Sequence, residues 1–451
     1  METVLNMLQD PNVQWVLLGT ILLGIASGVI GSFALLRKQS LLGDAMAHAA
    51  LPGICIAFLL YGAKSMSWFL IGASISGLIG TYCIQAIIKH SRIKEDTAIG
   101  LVLSVFFGFG IVLLTYIQQN GSGNQAGLDS FIFGQAAAIV GLDVQIISVI
   151  AFVLIFITFI LFKELKLITF DPQFAQGIGL PVKWLNGLLM TMIVGAVVIG
   201  LQAVGVILMA AMLITPAITA RYWTERLDYM VVLAGIVGGV SGVVGTLLST
   251  LSRGMPTGPL IILAATLLFL FSLLFGTKKG LLPKMVKQWK VKRLITRENV
   301  LSSLYELSET TLKESEGKEM GSYSFQQVVE LRPVSSLMLL AVIKELKKEG
   351  LLAEEQANKQ LMLTEKGLEL AHEIVLKNRL LDMYLMFESK FPVSNWREGS
   401  MDLLNGPKEI IDELRALLKD FGREPNGLFL YKKKRKLGNK GFHSAVEGSE
   451  G

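Results

Sequence analysis

The chain has 451 residues, 52% of them hydrophobic and 17% charged, with a formal net charge of +6. Composition this apolar excludes an ordinary soluble protein over the whole length, and the net charge sits largely in loops flanking apolar runs and in the tail, where it informs topology more than nucleic-acid binding. The two cysteines, Cys55 and Cys83, both fall inside apolar runs, which excludes a disulfide framework and a CxxC site.

Residues from about 13 to 276 form a series of long apolar runs, near 14–36, 42–62, 66–88, 95–117, 141–163, 185–206, 207–221, 229–251 and 257–276. Each approaches or exceeds the roughly 20 residues that a helix needs to cross a bilayer. The first run lacks a basic segment before it and reads as a retained span. From 277 onward the composition is that of a soluble domain. The expected fold is therefore an all-α polytopic membrane protein of about nine transmembrane helices, followed by a small α+β winged-helix-like domain. The expected boundaries are 1–280 for the membrane domain, 281–440 for the soluble domain and 441–451 for a disordered tail.

Basic residues set the expected orientation. Arg37 and Lys38, the stretch Lys89 to Lys94, the stretch Lys163 to Lys183, Arg221 to Arg226, and Lys278 onward belong on the cytosolic side. The loop Gln118–Ser130 carries no Lys or Arg and belongs outside; Arg253 is the one exception. Nine spans then put the N-terminus outside the cytoplasmic membrane and the C-terminal domain in the cytosol.

The stretch Ser40–Gly53 (SLLGDAMAHAALPG) opens the second run and carries Asp44 and His48. Spaced four apart, they share one face of a helix, one turn from each other. Ionisable groups inside a membrane segment are costly and mark a substrate or ion path. A carboxylate oxygen and an imidazole nitrogen are also donors that Mn²⁺, Fe²⁺ or Zn²⁺ accepts. The alternative local reading has Ser40 capping the helix, Asp44 complementing its dipole, and His48 bonded to a carbonyl. Hydropathy leaves the depth of the pair open.

Small residues recur at packing intervals: Gly24/Gly28, Ser27/Gly31, Gly235/Gly239, Gly238/Gly242 and Ser241/Gly245. That spacing lets helices approach closely. Between Lys163 and Lys183, a short helix is expected to start at Asp171-Pro172 and to stop at Gly177 or Gly179 before Pro181. It is suited to docking in a partner's groove or to serving as an interfacial connector. No G-x₄-G-K-[S/T], G-x-S-x-G or H-E-x-x-H stretch occurs, so the chain is not expected to be an enzyme.

Three stretches together resemble the membrane permeases of ATP-binding-cassette importers for manganese, zinc and iron: Leu41–Gly53, Asp171–Pro181 and Gln202–Ala217. The resemblance covers about residues 10–280. It implies a permease that pairs with a second copy or a relative and receives metal from an extracellular metal-binding protein. A separate cytosolic ATPase hydrolyses ATP. On that resemblance Asp44 and His48 contact the metal in transit. Asp171, Pro172, Phe174, Ala175, Gly177 and Gly179 form the ATPase-coupling loop, and Gln202, Thr215 and Pro216 are candidates for lining the path. No cofactor of its own is implied. Mn²⁺ is favoured over Zn²⁺ and Fe²⁺.

Beyond 290 the pattern reads as helices near 297–308, 324–331 and 335–349, a β-like turn over 351–363, and a long helix over 365–389. Leu363–Gly367 followed by Leu376–Leu381 is similar to diphtheria-toxin-repressor-like metalloregulators over roughly 290–405. Two departures matter. Asn378 stands where those regulators carry a ligating histidine, and only Glu398, Met401 and Asp402 are available for their second ligand cluster. The would-be recognition helix begins SSLMLL from Ser335, with Lys344, Lys347 and Lys348 at its far end, and is too apolar to read bases. Nucleic acid is therefore not an expected partner, and a domain regulating the permease or its ATPase is preferred. The run Tyr431–Lys436 can touch anionic lipid or simply be solvated. A membrane-anchored transcription regulator and a stand-alone secondary metal transporter stand as the alternative functions.

Overall fold

The structure is a computed structural model that describes residues 11–62, 65–120, 141–251, 255–314, 322–331, 336–355, 360–387 and 408–425. The outer loop expected at 118–130 lies mostly outside these residues, as do Glu398, Met401, Asp402, the basic run 431–436 and the tail 441–451. The chain divides into two compact units, Met1–Met285 and Val286–Gly451.

The first unit is built from helices α1 (Pro11–Leu36), α2 (Leu42–Tyr61), α3 (Met66–His90), α4 (Glu95–Asn120), α5 (Gly141–Ile160), α6 (Phe162–Phe170), α7 (Pro172–Gly177), α8 (Val182–Val204), α9 (Val206–Arg221), α10 (Leu227–Leu251) and α11 (Thr257–Phe275). Eight of them are long and apolar enough to cross a membrane. The ninth expected span, 207–221, is the 16-residue α9. At about 1.5 Å per residue it reaches about 24 Å, short of the roughly 30 Å hydrocarbon core. The cause is local: Gly205, at φ 90° and ψ 163°, ends α8 in a conformation that side chains avoid, so the continuous apolar run 185–221 breaks there.

Helices α1 and α10 form the main seam. The Gly24 and Gly238 backbones face each other so closely that a Cβ on either would strike the other's carbonyl, and Gly28 meets Ala234 in the same way. Gly53 on α2 and Gly72 on α3 repeat the arrangement. The small-residue intervals thus mark real crossings, although the nearest neighbours are side chains at Gly235 (Val29 and Ile25) and at Gly239 (Ile25 and Ile21). Thr20 and Thr246 share a buried hydrogen bond of 3.0 Å across the α1–α10 seam. Helix α9 packs among α1, α2, α10 and α11. Outer helices expose apolar side chains, Val105 and Val112 on α4 and Phe152 and Phe159 on α5 among them, a face that lipid rather than water would cover.

The second unit contains most of a 34-residue helix α12 (Leu281–Glu314), then α13 (Phe325–Leu331), α14 (Ser336–Lys348), strands β1 (Leu352–Glu355) and β2 (Gln360–Leu363), α15 (Glu365–Met386) and α16 (Lys408–Asp420). The strands pair antiparallel, with Leu352 opposite Leu363 and Glu355 opposite Gln360. Thr364 caps α15 by accepting from the Gly367 N–H at 3.1 Å. The expected order of three helices, hairpin and long helix is present. The first of these helices is much longer than the expected 297–308, because the basic segment after 280 contains no helix breaker past Pro283 and continues the same helix. The core of this unit gathers Leu301, Tyr305, Val342, Leu346, Leu368 and Ala371.

Candidate functional site

Helix α2 starts at Leu42 with Leu41 in the capping position and no side-chain cap bond, so Ser40 does not cap it. Asp44 therefore sits in a first turn whose amides lack a capping side chain, where a negative charge is favoured. One turn on, His48 Nε2 lies 3.5 Å from Asp44 Oδ1. Their side chains are 36% exposed for Asp44 and 15% for His48, so Asp44 reaches the surface of this chain while His48 is largely covered. Its partner across the gap is Phe107 on α4, whose ring meets the His48 ring edge-on, with centroids 4.6 Å apart at 74°. The other imidazole nitrogen, Nδ1, is buried with no hydrogen-bond partner, so His48 is not bonded to a carbonyl as the alternative reading required.

Position along the helices follows from these contacts. His48 is the seventh residue of α2 and lies about 9 Å from its start, while Phe107 is midway along the 26-residue α4, about 18 Å from Glu95. Gln39 donates to Glu95 at 2.8 Å where the two helices begin. Farther along, a Cβ on Gly110 would press the Leu51 side chain, and Cys55 Sγ reaches the Gly110 carbonyl at 3.8 Å. The α2 and α4 helices thus run side by side from Gln39/Glu95 through His48/Phe107 to Leu51/Gly110. The Asp44/His48 pair thus occupies the first two turns of α2, with Asp44 in the first turn and His48 one turn farther in, level with the middle of α4.

The spacing suits a shared cation. Two donors about 2.1 Å from one ion, at a tetrahedral angle, stand about 3.4 Å apart. An Asp oxygen and a His nitrogen at 3.5 Å could take up an ion with little movement. Two donors do not complete a coordination shell, and no group of three or more His, Cys, Asp or Glu side chains gathers among the described residues.

The other expected site residues lie elsewhere. Thr215, half-buried, and Pro216, buried, are on α9; Thr219 Oγ1 donates to the Thr215 carbonyl at 2.7 Å. The approach of α9 to the pair is made by Leu213, whose side chain fills the space beside Gly43. Gln202 lies on α8, and its side chain falls outside the described residues.

The loop between α6 and α8 forms the expected short helix. Asp171 caps α7 by accepting from the Phe174 N–H at 2.9 Å, Pro172 takes the first turn, and Gly179 at φ 88° turns the chain toward Pro181. Ala175 is buried, anchoring the loop from beneath. Phe170, Phe174 and Ile178 are all more than half exposed. They recur every four residues as an apolar ridge, and the sequence reading singled out only Phe174. Lys166 Nζ, 2.9 Å from Asp228 Oδ1, ties the base of the loop to the start of α10. Phe107 was also missed, since one phenylalanine in an apolar run carries no signal until its neighbour is known.

In the second unit, Asn378 on α15 is half-buried. Helix α14 exposes Leu337 (82%) and Leu340 (56%).

Comparison with known proteins gives the following. The family model described as "ABC 3 transport family" matches residues 9–276. The manganese transport system membrane protein MntC of Bacillus subtilis (strain 168) is 53% identical over 424 residues, 94% of this chain and 95% of that protein. The zinc transport system membrane protein TroC of Treponema pallidum (strain Nichols) is 45% identical over 294 residues, 65% of this chain and 99% of that protein. Among solved structures, PsaBC from Streptococcus pneumoniae in complex with Fab aligns with a TM-score of 0.56 and 34% identity, covering 62% of this chain and 97% of that chain. An alignment of 424 residues necessarily runs far into the second unit, whereas TroC matches almost in full within 294.

Proposed function

The chain belongs to the ABC 3 transport family, and from that premise we propose that it is the permease subunit of an ATP-binding-cassette importer conducting a divalent transition metal, Mn²⁺ by preference. The observation that carries this reading is the Asp44/His48 pair, two donors 3.5 Å apart on a helix inside a membrane unit. An ionisable pair on a membrane-spanning helix is costly unless an ion or a proton uses it. Two donors hold an ion loosely, as a conduit requires, since a site that binds too well does not release. A second permease copy or relative would bring further donors to the same path. The preference for Mn²⁺ follows the name of the B. subtilis relative; the T. pallidum relative is named for zinc.

ATP hydrolysis belongs to a separate cytosolic subunit, which docks on the Phe170–Phe174–Ile178 ridge of the coupling loop. An extracellular metal-binding protein delivers the ion from the other side. The N-terminus lies outside and the second unit in the cytosol, in line with the basic loops; this requires α9, short as it is, to make the ninth crossing and return the chain to the side of Arg221–Arg226. That unit is a winged-helix-like domain related to metalloregulators and acts on the permease or its ATPase. Leu337 and Leu340 stand exposed where a DNA reader needs donors and acceptors, which speaks against a transcription regulator.

The test is ATP-dependent ⁵⁴Mn²⁺ uptake into vesicles holding the chain, its ATPase and its binding protein. Asp44→Ala and His48→Ala should assemble and lose uptake by about tenfold or more. In the same vesicles Phe174→Asp should release the ATPase. Normal transport by both Asp44→Ala and His48→Ala would remove the pair from the path.

A further inference from the structure

A histidine that ligates a metal is ordinarily held by a hydrogen bond from its other ring nitrogen, which fixes the tautomer and the ring plane. His48 lacks that support: Nε2 turns toward Asp44, and Nδ1 is buried without a partner. The ring is nonetheless held in one orientation. Its aromatic contact is the edge-to-face one with Phe107, with centroids 4.6 Å apart. The two helices are tightly packed beside this contact: one turn farther along α4, Gly110 lies against the side chain of Leu51, one turn beyond His48 on α2. Glycine at that rung brings the helices close enough for the two rings to touch.

We infer that Phe107 is a positioning residue for this pair: its ring, and not a hydrogen bond, sets the orientation in which His48 Nε2 meets a divalent cation in transit. The inference rests on the reading of Asp44 and His48 as ligands. It assigns a role to a residue that makes no bond to the ion. Holding by ring contact leaves the imidazole free to tilt once the cation moves on, whereas a buried hydrogen bond would have to break first.

The experiment measures uptake as a function of Mn²⁺ concentration in the reconstituted transporter, for Phe107→Leu, Phe107→Ala and Phe107→Tyr, with Asp44→Ala and His48→Ala alongside. Phe107→Leu keeps apolar bulk between α2 and α4 and serves if Phe107→Ala fails to assemble. The expected result is a KM about tenfold higher for the leucine and alanine variants with the maximal rate largely kept, and recovery in Phe107→Tyr, which retains the ring. An unchanged KM, or a loss confined to the maximal rate, overturns the positioning role while the ligand pair stands. If instead Asp44→Ala and His48→Ala transport normally, the underlying reading fails first. The two failures are thus separately visible.

Discussion

Tyr305 and His372 share a 2.7 Å hydrogen bond in the second unit, beside a buried Glu309 that pairs with Arg379 at 2.5 Å. Burial pushes the His372 imidazole below its ordinary value, Arg379 adds to the shift, and Glu309 and Glu424 oppose it. The unfolded chain therefore takes up this proton near its usual pKa of about 6.5, before the folded one does. Stability from His372 is complete above that value and is lost as pH falls through it toward the lower folded value. Thermal unfolding of the second unit, followed in the whole protein, should shift to lower temperature between about pH 7.5 and pH 5.5. In His372→Gln that part of the shift should vanish, and an unaltered profile would place the acid sensitivity elsewhere. At this scale the sequence was informative only where chemistry and spacing coincide. Asp44 and His48 declare themselves four residues apart, whereas Phe107 and His372 gain meaning only from what α2 and α12 bring against them.

At the scale of elements, hydropathy located nearly every span and split the run 185–221 at 206/207, beside the Gly205 at which the structure breaks it. What composition does not supply is the reason for the break or the shortness of α9. Torsion decides it: φ 90° with ψ 163° is a region that glycine alone occupies at low cost. Gly205→Ala should therefore destabilise the membrane unit by about 1–3 kcal/mol, measured as a lower midpoint for loss of monodisperse protein in detergent. A neutral result would mean that α8 and α9 can rejoin without strain. Proline adds two further weak points, Pro52 in α2 and Pro216 in α9. Each lacks the N–H that would bond the carbonyl one turn earlier, which for Pro52 is that of His48 itself. The helix bearing Asp44 and His48 is thus loosened directly beside them. The short helix α7, by contrast, was legible with its stop left between Gly177 and Gly179, because Asp-Pro starts and glycine stops are local rules that need no tertiary partner.

For the whole molecule, 294 residues of this chain suffice to match 99% of TroC, so a relative is nearly complete without a counterpart of the second unit. Transport chemistry should accordingly reside in the first unit alone. A chain ended at Gly280 should assemble with its ATPase and import Mn²⁺ at the full-length rate when metal is saturating, with any difference confined to how rate responds to cytosolic metal. Loss of uptake despite normal assembly would make the second unit part of the machine. Its order of helices and hairpin could be read from periodicity, but its role could not, because the residues expected to bind metal or DNA are replaced or apolar.

The glycine seams carry a consequence for how this sequence can drift. In a bilayer most apolar positions accept one another, and Leu, Ile, Val and Phe exchange at little cost. At Gly24, Gly28, Gly53, Gly72 and Gly238 a single methyl would land on a backbone carbonyl, which cannot turn aside as a side chain can. Alanine, the gentlest of replacements elsewhere, is there as disruptive as a charge. A saturation scan would show these positions as narrow troughs of intolerance in an otherwise permissive landscape, set by clearance between helices and unrelated to polarity.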